Sequence, residues 1–323
     1  MTNILNNFIQ SAQFQGFITI FLSILLEALP FIIIGTLVSS IIQIFISEET
    51  LAKIIPKNKL IGLLCAGSIG LIFPVCDCAI VPIVRRLIKK GIPLYIAITF
   101  MLSVPIINPV VLSSTYYAFS NNMNIVLLRG GLGMLAAMII GSLIGMSENT
   151  KYILKQDKEN NHHDCECGHT HYHDHHKEKR NLYSIIFDII EHTSIEIHDV
   201  GRFLILGAFL SAVMQSFVPR SYILTVGHNN VYSILVMILL AFILAVCSET
   251  DAFIAKTFVG QFTSGSIIAF LLFGPMIDIK NTLMLSSTFK FSFIIKFIFV
   301  IFSVCFLIGI LINIFVMKGV VLW

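Results

Sequence analysis

Long apolar runs separated by short polar breaks fill this chain, at about 17–46, 60–84, 92–119, 124–146, 200–218, 231–247, 266–289 and 291–317. Each is near the roughly 20 residues that an α-helix needs to cross a bilayer. Lipid offers no water to unpaired backbone groups, so all eight are expected to be helical. The first run exceeds what a straight span needs, which predicts tilt or a kink at Pro30. A polar linker, 147–181, follows the fourth run. After it, "NLYSIIFDIIEHTSIEIHDV" puts Ile185, Ile186, Ile189 and Ile190 on one side, and reads as an interfacial or gating helix rather than a span. The pattern predicts an all-α integral membrane protein with about eight membrane segments in two halves, 1–146 and 182–323, joined by a disordered His/Cys-rich linker.

The halves echo one another. Glu27, Gly35 and Gln43 are followed 172 residues later by Asp199, Gly207 and Gln215, and Asn58 and Cys76 are followed 171 residues later by Asn229 and Cys247. Pro105-Ile106-Ile107-Asn108 resembles Pro275-Met276-Ile277-Asp278, and "LSST" occurs at both 112–115 and 285–288. An ordered series at nearly constant offset predicts an internal duplication, a common way to build transporters.

Composition supports the membrane class: 56% of the 323 residues are hydrophobic and only 12% charged, against about 25% charged in soluble domains. The net charge of +3 does not point to nucleic acid. Its placement matters more. Positive residues gather at 53–59, 85–90 and 151–180, and cytoplasmic loops are rich in Lys and Arg. All three clusters are cytoplasmic only if 60–84 enters and leaves on one side, as a re-entrant segment broken near Pro74. Each half then crosses three times and the repeats are inverted. Four plain crossings per half give a parallel repeat instead. The N-terminus lacks the basic region of a cleaved signal peptide.

Corresponding segments of both halves are interrupted by proline and small polar residues: "FPVCDCAIVP" with "AVCSETDAF", and "SVPIINP" with Gly274–Asn281. Such breaks free backbone groups at membrane depth, where substrates and ions bind. Two thiols at i and i+2, Cys76 and Cys78, share no face of a regular helix but converge on an unwound one. Thiolates select soft or borderline ions, and Asp77 adds a hard oxygen or a proton acceptor. The expected substrate site is Cys76, Asp77, Cys78, Asn108, Cys247 and Asp278. Asp278 has a plainer alternative, pairing with Lys280 or capping a helix after Pro275. Buried free cysteine is also a small hydrophobe, and this is the preferred reading of Cys65 and Cys305. Intramembrane charges are costly and usually functional, so Glu27, Asp199, Glu249 and Asp251 are expected to serve coupling or gating. Lys290 and Lys296 are expected to snorkel to an interface.

The linker "HHDCECGHTHYHDHH" holds seven of the ten histidines and two cysteines. His162, His163, Cys165, Cys167, His169, His171, His173, His175 and His176 suit zinc or another soft or borderline metal. With few apolar residues the tract is expected to be disordered, either a metal buffer or sensor for the membrane part or a solvated linker that binds metal adventitiously.

"PVCDCAIVPIVRRLIKKGIP…FMLSVPIINPVVLSSTY" resembles the signature of the predicted permeases related to the organoarsenical efflux permease ArsP, also called YraQ-like. The matching positions are Pro74, Cys76, Cys78, Pro82, Gly91, Pro93, Pro105, Asn108, Pro109 and Thr115. "CSETDAFIAKTF", Pro275, Asp278 and "IKNTLML" in the second half are similar as well. The resemblance implies an integral plasma-membrane permease. Some members export trivalent organoarsenicals, and others form half of a two-component permease with a second membrane subunit. The family's serine and glycine around the thiols are Asp77 and Ala79 here, which favours a borderline divalent ion such as zinc.

These readings converge on secondary efflux of a thiophilic metal ion, metalloid or organoarsenical across the plasma membrane, with the linker cytoplasmic and no cofactor required. The alternative is a membrane subunit that receives metal and delivers it to a partner without transport of its own. No Walker A, HExxH or GxSxG sequence occurs, so neither direct ATP use nor an intramembrane enzyme is expected.

Overall fold

Where the chain breaks its helices decides its architecture. The computed structural model describes residues 12–45, 58–71, 76–147, 153, 182–217 and 230–317. The first half contains α1 (Ala12–Phe45), α2 (Lys59–Ser68) with a 3-10 turn at Ile69–Leu71, α3 (Asp77–Lys89), α4 (Leu94–Ile107), α5 (Pro109–Ala118) and α6 (Met123–Ser147). The second contains α7 (Leu182–Phe217), α8 (Asn230–Leu244), α9 (Asp251–Thr257), α10 (Ser264–Met276), α11 (Ile279–Thr288) and α12 (Phe291–Met317). Among the described residues there is no β-strand, only an isolated bridge between Val259 and Phe262.

The fold is that of an all-α membrane protein. Among the described residues, six stretches are long and apolar enough to cross a bilayer: Phe14–Ile42, Leu94–Ala118, Met123–Ser147, Ile189–Ser216, Ser264–Thr288 and Phe291–Phe315. The other two apolar segments, Lys59–Leu71 and Val231–Leu244, are shorter. They precede the non-helical Cys76 and Cys247 in the chain. The amphipathic stretch expected as a separate interfacial helix is instead the first part of the 36-residue α7. No proline interrupts 182–217, and Thr193 and Glu196 are buried rather than facing water.

The expected breaks have local causes. Pro109 has no N–H to donate and pushes the preceding residue into extended geometry. Asn108 accordingly has φ −49° and ψ 128°, and its side chain accepts from the Val110 N–H to start α5. In the second half, Ile277 and Asp278 are both extended, and the Asp278 side chain accepts from the Asn281 N–H to start α11. Cys76 lies in extended backbone just before α3. The stretch between α8 and α9 includes Ala245 at φ +43°, a left-handed conformation that costs an alanine roughly 1–2 kcal/mol.

The two long helices α1 and α7 pack side by side, α1 also against α3 and α7 against α11. Both contacts need a missing side chain. A Cβ on Gly35 would lie 2.6 Å from the Ala79 carbonyl oxygen, and one on Gly207 would lie 3.0 Å from the Lys280 Cα. Charged groups tie the remaining elements. Arg86 of α3 meets Glu196 of α7 at 2.6 Å, and Ser39 of α1 donates to the same carboxylate oxygen at 3.2 Å. Arg129 of α6, fully buried, donates to Asp251 of α9 at 2.6 Å, to Thr115 of α5 at 2.7 Å and to the Ser248 carbonyl at 3.2 Å. This contact joins the two halves of the chain.

Two stability outcomes follow, both read as the thermal unfolding midpoint of the purified protein in detergent. Gly35→Ala forces α1 off α3 and should cost about 1–3 kcal/mol, whereas Gly16→Ala, with nothing within 4 Å of the added methyl, should not lower the midpoint. Arg129→Leu strands the buried Asp251 carboxylate and should cost about 3–5 kcal/mol, most of it recovered when Asp251→Leu is added. A double variant no more stable than Arg129→Leu would show that the ion pair is not the cause.

Candidate thiol and carboxylate site

The start of α3 gathers the first three groups. Because Cys76 lies in extended backbone and Cys78 in the first helical turn, their sulfurs share a side despite the i, i+2 spacing. One donor atom each from Cys76, Asp77 and Cys78 lies within 4.8 Å of the other two, and all three residues are buried. They line one narrow pocket together with Ala245 and Cys247 from the break after α8, Glu27 and Ala28 from α1, and Lys280 from α11. Three thiols, from both halves of the chain, therefore face the same space. It holds about one water-sized occupant.

At the break after α8 the Leu244 and Cys247 carbonyls are paired internally, as burial demands. The Leu244 carbonyl, at the end of α8, accepts from the Gln215 amide at 2.6 Å. The Cys247 carbonyl accepts from the backbone N–H groups of Thr250 and Asp251 and from the Thr250 hydroxyl. Carboxylate partners come from α11. Asn281 Nδ2 donates to Asp77 Oδ2 at 2.7 Å, while Lys280 Nζ lies 3.4 Å from that oxygen and 3.8 Å from Asp278 Oδ2. Asp77 Oδ1 and Asp278 Oδ2 are buried with no hydrogen-bond donor. Two carboxylates and one ammonium leave the cluster with a net negative charge beside the thiols.

The remaining expected residues divide. Asp278 adjoins the pocket through Lys280, and both plain alternatives for it hold, since it caps α11 and faces that lysine. Glu27 lines the pocket and is itself exposed. Asn108 is buried as the cap of α5, and Asp251 is bound to Arg129; neither lines the pocket. Glu249, partly buried in the turn after Cys247, does not line it either. Asp199 is not brought to the site: it is partly exposed on α7 and faces Arg202 at 3.6 Å. Cys305 is buried against the Met276 sulfur and Cys65 is exposed. Pro74 and the linker residues His162, His163, Cys165, Cys167, His169, His171, His173, His175 and His176 lie outside the described residues.

Sequence reasoning missed Asn281, Arg129, Glu196 and Arg86 as organising groups, and took Lys280 only as a partner for Asp278. Arg129 and Lys280 carried a signal, being cations inside apolar runs, where a charge is expensive without a partner. Nothing local marked Asn281, whose partner Asp77 lies 204 residues away.

The comparisons with known proteins agree with this architecture. A family model described as a predicted permease, of the ArsP type, matches residues 13–314. The UPF0718 protein YcgR of Bacillus subtilis is 46% identical over 276 residues, covering 85% of this chain and 90% of that protein. A Streptococcus mutans protein, provisionally described as a subunit of a two-component membrane permease complex, is 40% identical over 298 residues, covering 91% of this chain and 95% of its own. No solved structure matches. With six span-length apolar helices and a family match over nearly its whole length, the chain is a multi-pass plasma-membrane protein and belongs to the ArsP-type predicted-permease family.

Proposed function

We propose that this permease moves a thiophilic cation, a soft or borderline metal ion or a metalloid, outward across the plasma membrane by secondary transport. The observation that carries the reading is the convergence of the Cys76 and Cys78 sulfurs with an Asp77 oxygen within 4.8 Å, in a pocket that Cys247 enters from the other half. Soft donors select the class of ion. The narrowness of the pocket and the carboxylate between the thiols favour a bare ion such as zinc over an organoarsenical. Binding removes protons from thiols, since the thiolate is the ligand.

An internal duplication underlies the site. Its support is the constant offset in the sequence together with an identical order of elements in the two halves: a long helix, a short apolar helix, a break, a half-helix, a broken span and an unbroken span. The match is incomplete, because α1 leans on α3 whereas α7 leans on α11. The linker belongs to the cytoplasmic side on the distribution of Lys and Arg, where its histidines and cysteines buffer metal for the membrane part.

A second reading is supported by the Streptococcus mutans relative: the chain is one subunit of a two-component permease and hands metal to a second membrane protein. Metal flux in vesicles made from the purified chain alone separates the two. Flux supports the first reading; binding without flux until a second subunit is added supports the second. In cells, a deletion strain should be hypersensitive to the cargo and should accumulate it, measured by elemental analysis.

Two outcomes test the site. The Cys76→Ser/Cys78→Ser double variant keeps size and polarity and removes the soft donors, so flux of zinc or cadmium should fall at least about tenfold. Deleting 162–176 should shift the metal concentration at which flux begins and leave its maximal rate intact. Normal transport by the double serine variant, with a dead linker deletion, would move the site out of the pocket.

A further inference from the structure

Lys280 is held differently from the buried Arg129 and the partly buried Arg86. Arg86 and Arg129 meet their carboxylates at 2.6 Å. Lys280, buried like Arg129, stands 3.4 Å from Asp77 and 3.8 Å from Asp278, beyond the about 2.7–2.9 Å of a charge-assisted N–H···O bond. Of these three cations only Lys280 lines the thiol pocket. Its ammonium therefore offsets part of the charge of both carboxylates without being locked to either.

The residue type fits that arrangement. Lysine carries a compact charge on a four-carbon stem with several rotatable bonds, whereas arginine's planar fork favours fixed bidentate pairing. An ammonium at this place also answers a need of the vacant pocket, since two buried carboxylates without a cation are strongly unfavourable. The backbone of Lys280 is pinned at its Cα by the close approach of Gly207, so the position of the stem's root is set and only its head is free to change partners.

We propose that Lys280 is a tethered counter-cation that occupies the charge position of the cargo when the pocket is empty and yields Asp77 to the cargo when it arrives. This rests on the pocket being the cargo site. Lys280 keeps its charge throughout; what changes is its partner. Cargo entering among the thiols is a cation that takes over the Asp77 carboxylate, while Lys280 withdraws toward Asp278. The displaced ammonium then repels the cargo, which lowers its affinity and speeds its release. The carboxylates select for cations, and the lysine keeps their binding weak enough for turnover.

The test is cadmium binding by equilibrium dialysis with elemental analysis, on the full chain purified in detergent. Cadmium is the thiophilic probe, and wild type is compared with Lys280→Met, Lys280→Gln, Lys280→Arg and the Cys76→Ser/Cys78→Ser variant. Removing a unit positive charge a few ångströms from the bound ion should tighten binding about tenfold or more in the Met and Gln variants, with slower cadmium flux through vesicles. Lys280→Arg keeps the charge and pairs it more firmly with the carboxylates, so it should bind cadmium no tighter than wild type. If the serine variant loses binding but Lys280→Met and Lys280→Gln bind no tighter than wild type, the pocket stands and the role of Lys280 falls. If cadmium binds none of the proteins, both readings fall. If the Met and Gln variants are not monodisperse on size exclusion while Lys280→Arg is, the ammonium is a structural requirement and the exchange is overturned.

Discussion

A helix that begins inside an apolar layer exposes backbone N–H groups that no preceding turn can accept, and this protein begins four helices in that way. Each start carries a polar side chain at its first residues: Asn108 caps α5 and Asp278 caps α11 by side-chain hydrogen bonds, while α3 and α9 have no side-chain cap and carry Asp77 and Asp251 as their first residues. An acidic group is favoured there by the positive end of the helix dipole. Three of the four are carboxylates buried away from water, where helix ends alone do not compensate their charge. The two buried cations beside them, Lys280 and Arg129, are consequences of that arrangement.

The four starts meet in pairs across the halves, α3 with α11 and α5 with α9, and the pairs have been put to different ends. At α5 and α9 the cation is an arginine with donors directed to a carboxylate, a hydroxyl and a backbone carbonyl. That junction is filled and locked. At α3 and α11 the cation is a lysine with long contacts, the neighbouring side chains are thiols, and a pocket remains. Similar backbone geometry gives a weld in one place and a binding space in the other, and the identity of the cation and its neighbours makes the difference.

Much of this was legible in the sequence because it is imposed by local rules. Apolar run lengths gave the helices, and Asn108-Pro109 and the Pro275–Asp278 stretch gave the two broken spans, since proline and capping side chains act within a few residues. Cys76, Asp77, Cys78 and Cys247 were legible as polar groups that an apolar environment would not tolerate without purpose. What stayed hidden depends on separation in the chain. The role of Glu196 arises from Arg86, 110 residues earlier, and its amphipathic surroundings look the same whether the polar face meets water or another helix. Asp199 misled for a related reason: an offset match with Glu27 is a likeness of sequence alone, and α1 and α7 do not pack on equivalent partners, so only one of the two carboxylates reaches the pocket.

The two glycine contacts of the long helices have a mechanical meaning. Gly35 seats α1 on Ala79, two residues from Asp77, and Gly207 seats α7 on Lys280 itself. The carboxylate and the ammonium that face each other in the pocket are thus each mounted on a different long helix. The Asp77–Lys280 gap is therefore set by how α1 and α7 pack on one another, and not by α3 and α11 alone. The Thr193–Ser40 hydrogen bond at 3.0 Å and the Ser39–Glu196 contact bridge the same two helices and fix their register.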